Sequence, residues 1–151
     1  MAELVDSAEP LEAARAALAE GRWNDARDTL RGVAGAEPSA EAYELLSWAC
    51  WWLDDAEGVF EHRLRAYEAH RDDGGTAGAA RMALWLACDH LDFRGAAAVA
   101  NGWLARAARL LGDGATPEHA WLAFFEGYLA RMAGEHDRAL ERGRTVVDAE
   151  A

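Results

Sequence analysis

Residues 21–50 read GRWNDARDTLRGVAGAEPSAEAYELLSWAC. Trp23, Ala26, Leu30 and Val33 recur at steps of three and four, which places them on one stripe of a helix. That helix opens just after Gly21. It must stop before Pro38, which has no N–H to donate and disfavours helical backbone in Glu37. A second helix then starts with Ser39 as its N-cap, and Glu41 and Glu44 sit near the positive end of its dipole. Ala26 is small where two helices would cross closely. The stretch is therefore a helix, a tight break and another helix.

The same pattern extends both ways. Residues Met1 to Glu9 form an acidic lead. Pro10 suits a first helical position, Leu11, Ala14 and Leu18 make a stripe, and Gly21 ends it. Downstream, the helix after Ser39 runs to about Leu53 and is apolar nearly all round (Leu45, Leu46, Trp48, Ala49, Cys50, Trp51, Trp52). Such a helix is buried on several sides or lines a groove. Asp54 or Asp55 caps a helix striped by Ala56, Phe60, Leu64 and Tyr67, and Arg71 to Gly75 is a loop. A helix from about Thr76 carries Ala80, Ala83 to Ala87 and Leu91. The turn Asp92-Phe93-Arg94-Gly95-Ala96 follows, then a helix striped by Val99, Trp103, Leu104, Ala107, Leu110 and Leu111 and closed by Gly112. Thr116-Pro117-Glu118 reads as an N-cap with proline at the first helical position, followed by Trp121, Leu122, Phe125, Tyr128, Leu129 and Met132. Gly134 to Ala139 then repeats the pattern of Gly21 to Ala26, and a last helix carries Leu140, Val146 and Val147. Alternating strand-like runs are missing from the sequence, and isoleucine is absent.

Gly21, Trp23, Ala26 and Pro38 resemble the tetratricopeptide (TPR) repeat, with its Gly-Asp-Tyr turn, small residue early in the second helix and proline near the end of the unit. Tyr43, Leu46, Ser47 and Cys50 fall where the next unit would carry Trp, Leu, Gly and Tyr; Ser47 and Cys50 are substitutions. The resemblance implies an all-α fold, a right-handed stack of about four antiparallel helix pairs. It would be one domain over residues 1–151, with units at about 10–34, 39–72, 76–112 and 116–150. The small or apolar positions Ala26, Val59, Ala96 and Ala139 are 33, 37 and 43 residues apart, against a repeat of about 34. A generic helical hairpin bundle is the alternative. Residues 81–107, RMALWLACDHLDFRGAAAVANGWLARA, are similar to segments of the TPR-like regions of actinobacterial LuxR-type transcriptional regulators. There the repeats sense or relay a signal and a separate helix-turn-helix binds DNA; no basic recognition helix is seen here.

Composition narrows the function. The formal net charge is −12 and all 15 basic residues are arginine, a usage that suggests a GC-rich genome such as an actinobacterium's. So acidic a chain is not expected to bind nucleic acid directly, because phosphate affinity comes from Lys and Arg, nor an anionic membrane. The longest apolar runs fall short of the roughly 20 residues a span needs. No signal peptide is evident, and Cys50 and Cys88 read as buried free thiols, so the expected compartment is the cytoplasm. No cofactor motif appears: Asp73-Gly74-Gly75 lacks the spacing and the lysine of a phosphate loop, and there is no nucleophile elbow or HExxH. His62, His70, His90, His119 and His136 are scattered. Cys88-Asp89-His90 is compact, but consecutive helical residues point about 100° apart and cannot share one metal.

The TPR resemblance implies a concave groove lined by the first helix of each unit. On this sequence it would hold Trp48, Trp51, Trp52, Arg81, Trp85, Asp89, Trp121, Phe124, Tyr128 and Arg131, with Glu41, Glu44, Cys88 and Met132 nearby. Rigid aromatic surface suits a protein or peptide partner or an apolar small molecule; the same rings could instead be inter-helix core. Chaperone-tail binding is not expected, since the Lys, Arg and Asn of that clamp are replaced by Trp, Tyr and Glu. The expected function is a non-enzymatic binding module, part of or related to a LuxR-type regulator. The alternatives are a small-molecule-sequestering protein or small enzyme with a Trp-lined pocket near Asp89 and His90, and a self-associating adaptor. Leu140, Val146 and Val147 have no following unit to cover them, so a homodimer through the C-terminal helix pair is also expected.

Overall fold

In the computed structural model, residues 8–149 are described, and they form eight α-helices: α1 (Ala8–Ala19), α2 (Trp23–Ala36), α3 (Ala40–Trp52), α4 (Ala56–Asp72), α5 (Thr76–Arg94), α6 (Ala97–Leu111), α7 (Pro117–Met132) and α8 (His136–Ala149). There is no strand among the described residues. The expected all-α fold of antiparallel helix pairs is therefore what the chain adopts. It divides into two compact units, Met1–Ala69 and His70–Ala151. The acidic lead up to Ser7 lies outside the described residues.

In the first unit α2 packs on both α1 and α3. Its face is the stripe read from the sequence: Ala26 and Leu30 are fully buried and Val33 nearly so. Ala14 and Ala17 from α1 and Ala42, Leu46, Ala49 and Cys50 from α3 complete this core, with Leu11 and Leu18 packed against it. Gly21 turns the chain at φ +75, a left-handed conformation in which glycine meets no Cβ penalty. The Ser39 side chain accepts the Ala42 N–H at 3.1 Å, and the Asp55 carboxylate accepts that of Gly58 at 3.0 Å, so both expected caps form. Pro10 lies inside α1 rather than at its first position, still within the first turn, where helical N–H groups lack partners and a missing donor costs nothing.

The buried face of α4 is rotated from the expected stripe. Val59, Arg63, Ala66 and Tyr67 are buried, while Leu64 is exposed. The Arg63 guanidinium lies over the Trp48 ring at 4.6 Å. A long cation on an indole hides apolar stem and charge together, which an apolar-periodicity reading does not register.

In the second unit α5 packs on α6 and α7, and α6 on α7. Asp92, Phe93 and Arg94, read as a turn, are the last residues of α5; the helix ends only at Gly95, at φ +60. Ala96 is consequently the N-cap of α6 rather than a crossing residue. Ala100, Trp103, Leu104 and Ala107 are buried and Val99 is exposed. Thr116 and Pro117 start α7 as expected. The Thr116 backbone N–H donates to His119 Nδ1 at 3.1 Å, so the ring proton sits on Nε2 and donates to the Gly112 carbonyl, also at 3.1 Å.

Candidate functional site

Each unit holds a cluster of aromatic residues. In the first unit Trp23 and Trp52 stack at 4.8 Å. Trp51 meets Trp52 edge-on at 4.9 Å and Trp48 at 6.3 Å. Trp52 remains 52 % exposed. Trp48 and Trp51 are half-buried, so this cluster is part core and part surface.

In the second unit Trp85 of α5 faces α7. Its ring lies 5.5 Å from Trp121 and 5.8 Å from Phe125, and Phe124 lies 5.8 Å from Trp121. Phe125 is buried, whereas Trp121 and Phe124 are exposed by 46 % and 48 %. Beside them Arg81 of α5 pairs with Glu118 of α7 at 3.6 Å. Arg81, Trp85, Trp121 and Phe124, expected on one surface, are thus together. Tyr128 and Arg131 continue it along α7, the guanidinium lying over the Tyr128 ring at 5.5 Å.

Two depressions adjoin this row. One, of about 690 Å³, lies over Thr116, Pro117, Ala120, Trp121 and Phe124 and reaches Val146. The other, of about 570 Å³, runs between α7 and α8, with Ala123, Gly127, Ala139 and Gly143 as its small residues and Phe124, Tyr128, Leu140 and Val146 as its larger ones. Phe124 and Val146 line both. From Pro117 to Arg131 the surface is about 21 Å long at 1.5 Å per residue. Its lining contains no carboxylate; Arg131 and His136 are its basic residues. Among the described residues Arg131 has no ion pair, whereas Arg138 and Arg142 on α8 are held by Glu135 at 3.1 Å and Glu126 at 3.0 Å.

Asp89 is 1 % exposed, and His90 is half-buried, with burial holding its imidazole below the usual histidine range. His62 of the first unit is held low by the same cause and stacks on Tyr43 at 6.3 Å. No group of three His, Cys, Asp or Glu that could hold a metal occurs among the described residues, and no described helix is long and apolar enough to cross a membrane.

Leu140 and Val146 read from the sequence as part of an end face, in which Gly127 and Gly143 do not stand out. The signal was present in the repeated motif. Ala139 corresponds to Ala26, and the same register sets Gly143 against Leu30. A stripe with a glycine at the place of a core leucine marks a hollow. No family model, no curated protein and no solved structure matches the chain.

Proposed function

We propose that the chain is a non-enzymatic binding module whose recognition surface is the exposed aromatic row of α7, and that it serves as the sensing or relay part of a LuxR-type transcriptional regulator or a relative. The observation that carries the binding reading is the exposure of Trp121 and Phe124 beside an apolar groove. Neighbouring exposed aromatics of this size are costly to leave in water and are the anchors that binding surfaces use. The regulator assignment rests on the resemblance of residues 81–107 alone.

The experiment is a binding screen of peptide and metabolite sets against the wild type, Trp121→Ala and Phe124→Ala, read by thermal shift and calorimetry. Hits should weaken about tenfold or more in each variant, the loss expected for removing an aromatic anchor. Hits that bind all three proteins equally would remove this surface from the reading.

A further inference from the structure

The two units share one helix-pair pattern, and one of them shows what the other's open face is built to receive. Ala26 and Ala139 align across the Gly21 and Gly134 turns, both glycines taking positive φ, +75 and +79. In that register Phe124, Gly127, Tyr128 and Arg131 of α7 fall on Leu11, Ala14, Arg15 and Leu18 of α1. Ala139, Gly143 and Val146 of α8 fall on Ala26, Leu30 and Val33 of α2. In the first unit this is the surface that α3 covers, and Ala14, Ala26 and Leu30 are fully buried there. In the second unit the same positions line an open groove. A Cβ added at Gly143 meets nothing within 4 Å. The cation shifts by one turn between the two pairs. Arg15 on α1 is ion-paired with Glu41 of α3. The place of Arg15 is taken by Tyr128, and the Arg131 guanidinium, at the place of Leu18, lies over the Tyr128 ring and has no ion pair among the described residues.

We infer that the α7–α8 groove takes an amphipathic helix from a partner protein, seated as α3 is seated on α1 and α2, with an acidic residue directed at Arg131. The inference deepens the binding-module reading and rests on it. The occupant's anchors follow from α3, whose Ala42, Leu46, Ala49 and Cys50 enter the core, the spacing of a helix laid in a groove. Because Gly143 stands where Leu30 stands, the groove is deeper than its template and favours larger anchors than alanine. The lining holds Arg131 and no carboxylate, so at that point it favours an acidic residue over a basic one.

The test uses a peptide of α3 length with leucine at the places of Ala42, Leu46, Ala49 and Cys50 and glutamate at those of Glu41 and Glu44. It is stapled as a helix, because short helices are marginal in water. A second peptide carries lysine for both glutamates. The full chain should bind the acidic peptide and bind the lysine peptide about tenfold more weakly. Gly143→Leu fills the groove from a position with open space, so it should abolish binding while thermal unfolding stays unchanged or rises. Arg131→Glu, an exposed change, should invert the peptide preference. A wild-type dimer in sedimentation that Gly143→Leu converts to monomer would overturn the inference in favour of a second copy as occupant. Peptide binding indifferent to Gly143→Leu would overturn the groove assignment. The binding-module reading would stand in that case if hits from the screen still depended on Trp121 and Phe124, and would fall with it if they did not.

Discussion

The α1–α2 pair and the α7–α8 pair use one sequence pattern to opposite ends. Each has a small residue at the crossing, a glycine turn with positive φ before its second helix and an apolar stripe along it. In α2 the stripe ends as core, with Leu30 at 0 % exposure; in α8 Leu140 is 62 % and Val147 68 % exposed, and none of its described side chains reaches full burial. The difference lies in what packs on the pair. Helix α2 is held from two sides, by α1 and α3, whereas the main packing of α8 is on α7. An apolar stripe in a sequence states that something covers it, and does not state whether the cover is the next helix of the same chain.

The comparison breaks first at its leucines. Leu30→Ala should cost roughly 2–5 kcal/mol, since it empties a fully buried site with a neighbour on either side. Leu140→Ala should stay within about 0.5 kcal/mol, as surface changes do. Urea titration of the two variants measures both. Equal losses would mean that α8 is as covered in solution as α2.

The glycines sharpen it. Gly58, buried in α4, would set an added Cβ 2.5 Å from the Asp55 carboxylate and 2.7 Å from Cys50 Sγ. An alanine there must push Asp55 off the cap it forms on this residue's own N–H. That overpacking costs roughly 1–3 kcal/mol and outweighs the gain in helix propensity of about 1 kcal/mol. Gly58→Ala should therefore lower the melting temperature. Gly102 in α6 has nothing within 4 Å, so Gly102→Ala should stabilise by about 0.5–1 kcal/mol. A rise for both would show that Asp55 and Cys50 yield without cost.

Helix periodicity and break residues made most of the fold legible. Pro38, Ser39, Gly112 and Thr116-Pro117 act within a turn or two of themselves, so no tertiary knowledge was needed to place them. The misplacements share a cause. Asp92 to Arg94 extend α5 because nothing short of Gly95 stops it; Leu64 and Val99 turn outward because Arg63 and Ala100 hold the inward positions. Which of two neighbouring faces is inward is settled by packing partners, which periodicity does not name. The candidate site was legible as a set of aromatics on α5 and α7. It was not legible as a groove, because its floor is made of Ala123, Gly127, Ala139 and Gly143, residues that a search for chemistry passes over.

The two cysteines carry the smallest effect and divide along the same lines. Cys50 of the first unit is fully buried in the α3 core against Gly58. Desolvation, and after it the nearby Asp55 carboxylate, pushes its thiol from 9.0 up to about 11. The reactive species is the thiolate, so Cys50 should resist an aromatic disulfide reagent at pH 8 until the chain unfolds. Cys88 in α5 is half-buried, with its Sγ 3.2 Å from Asp92 Oδ2 as a hydrogen-bond donor. It should be the one thiol that titrates in the native protein, and Cys88→Ser should remove that signal. The raised Cys50 value also fixes a sign. The folded chain holds this proton more tightly than the unfolded chain, so the resulting stabilisation is complete below about pH 9 and is lost as pH rises through about 11. Cys50→Ala should flatten that alkaline limb in urea titrations across the range. A limb unchanged by the substitution would assign the alkaline loss to other groups, and fast native labelling of Cys50 would show that α3 opens as readily as the face of α8 that lies uncovered.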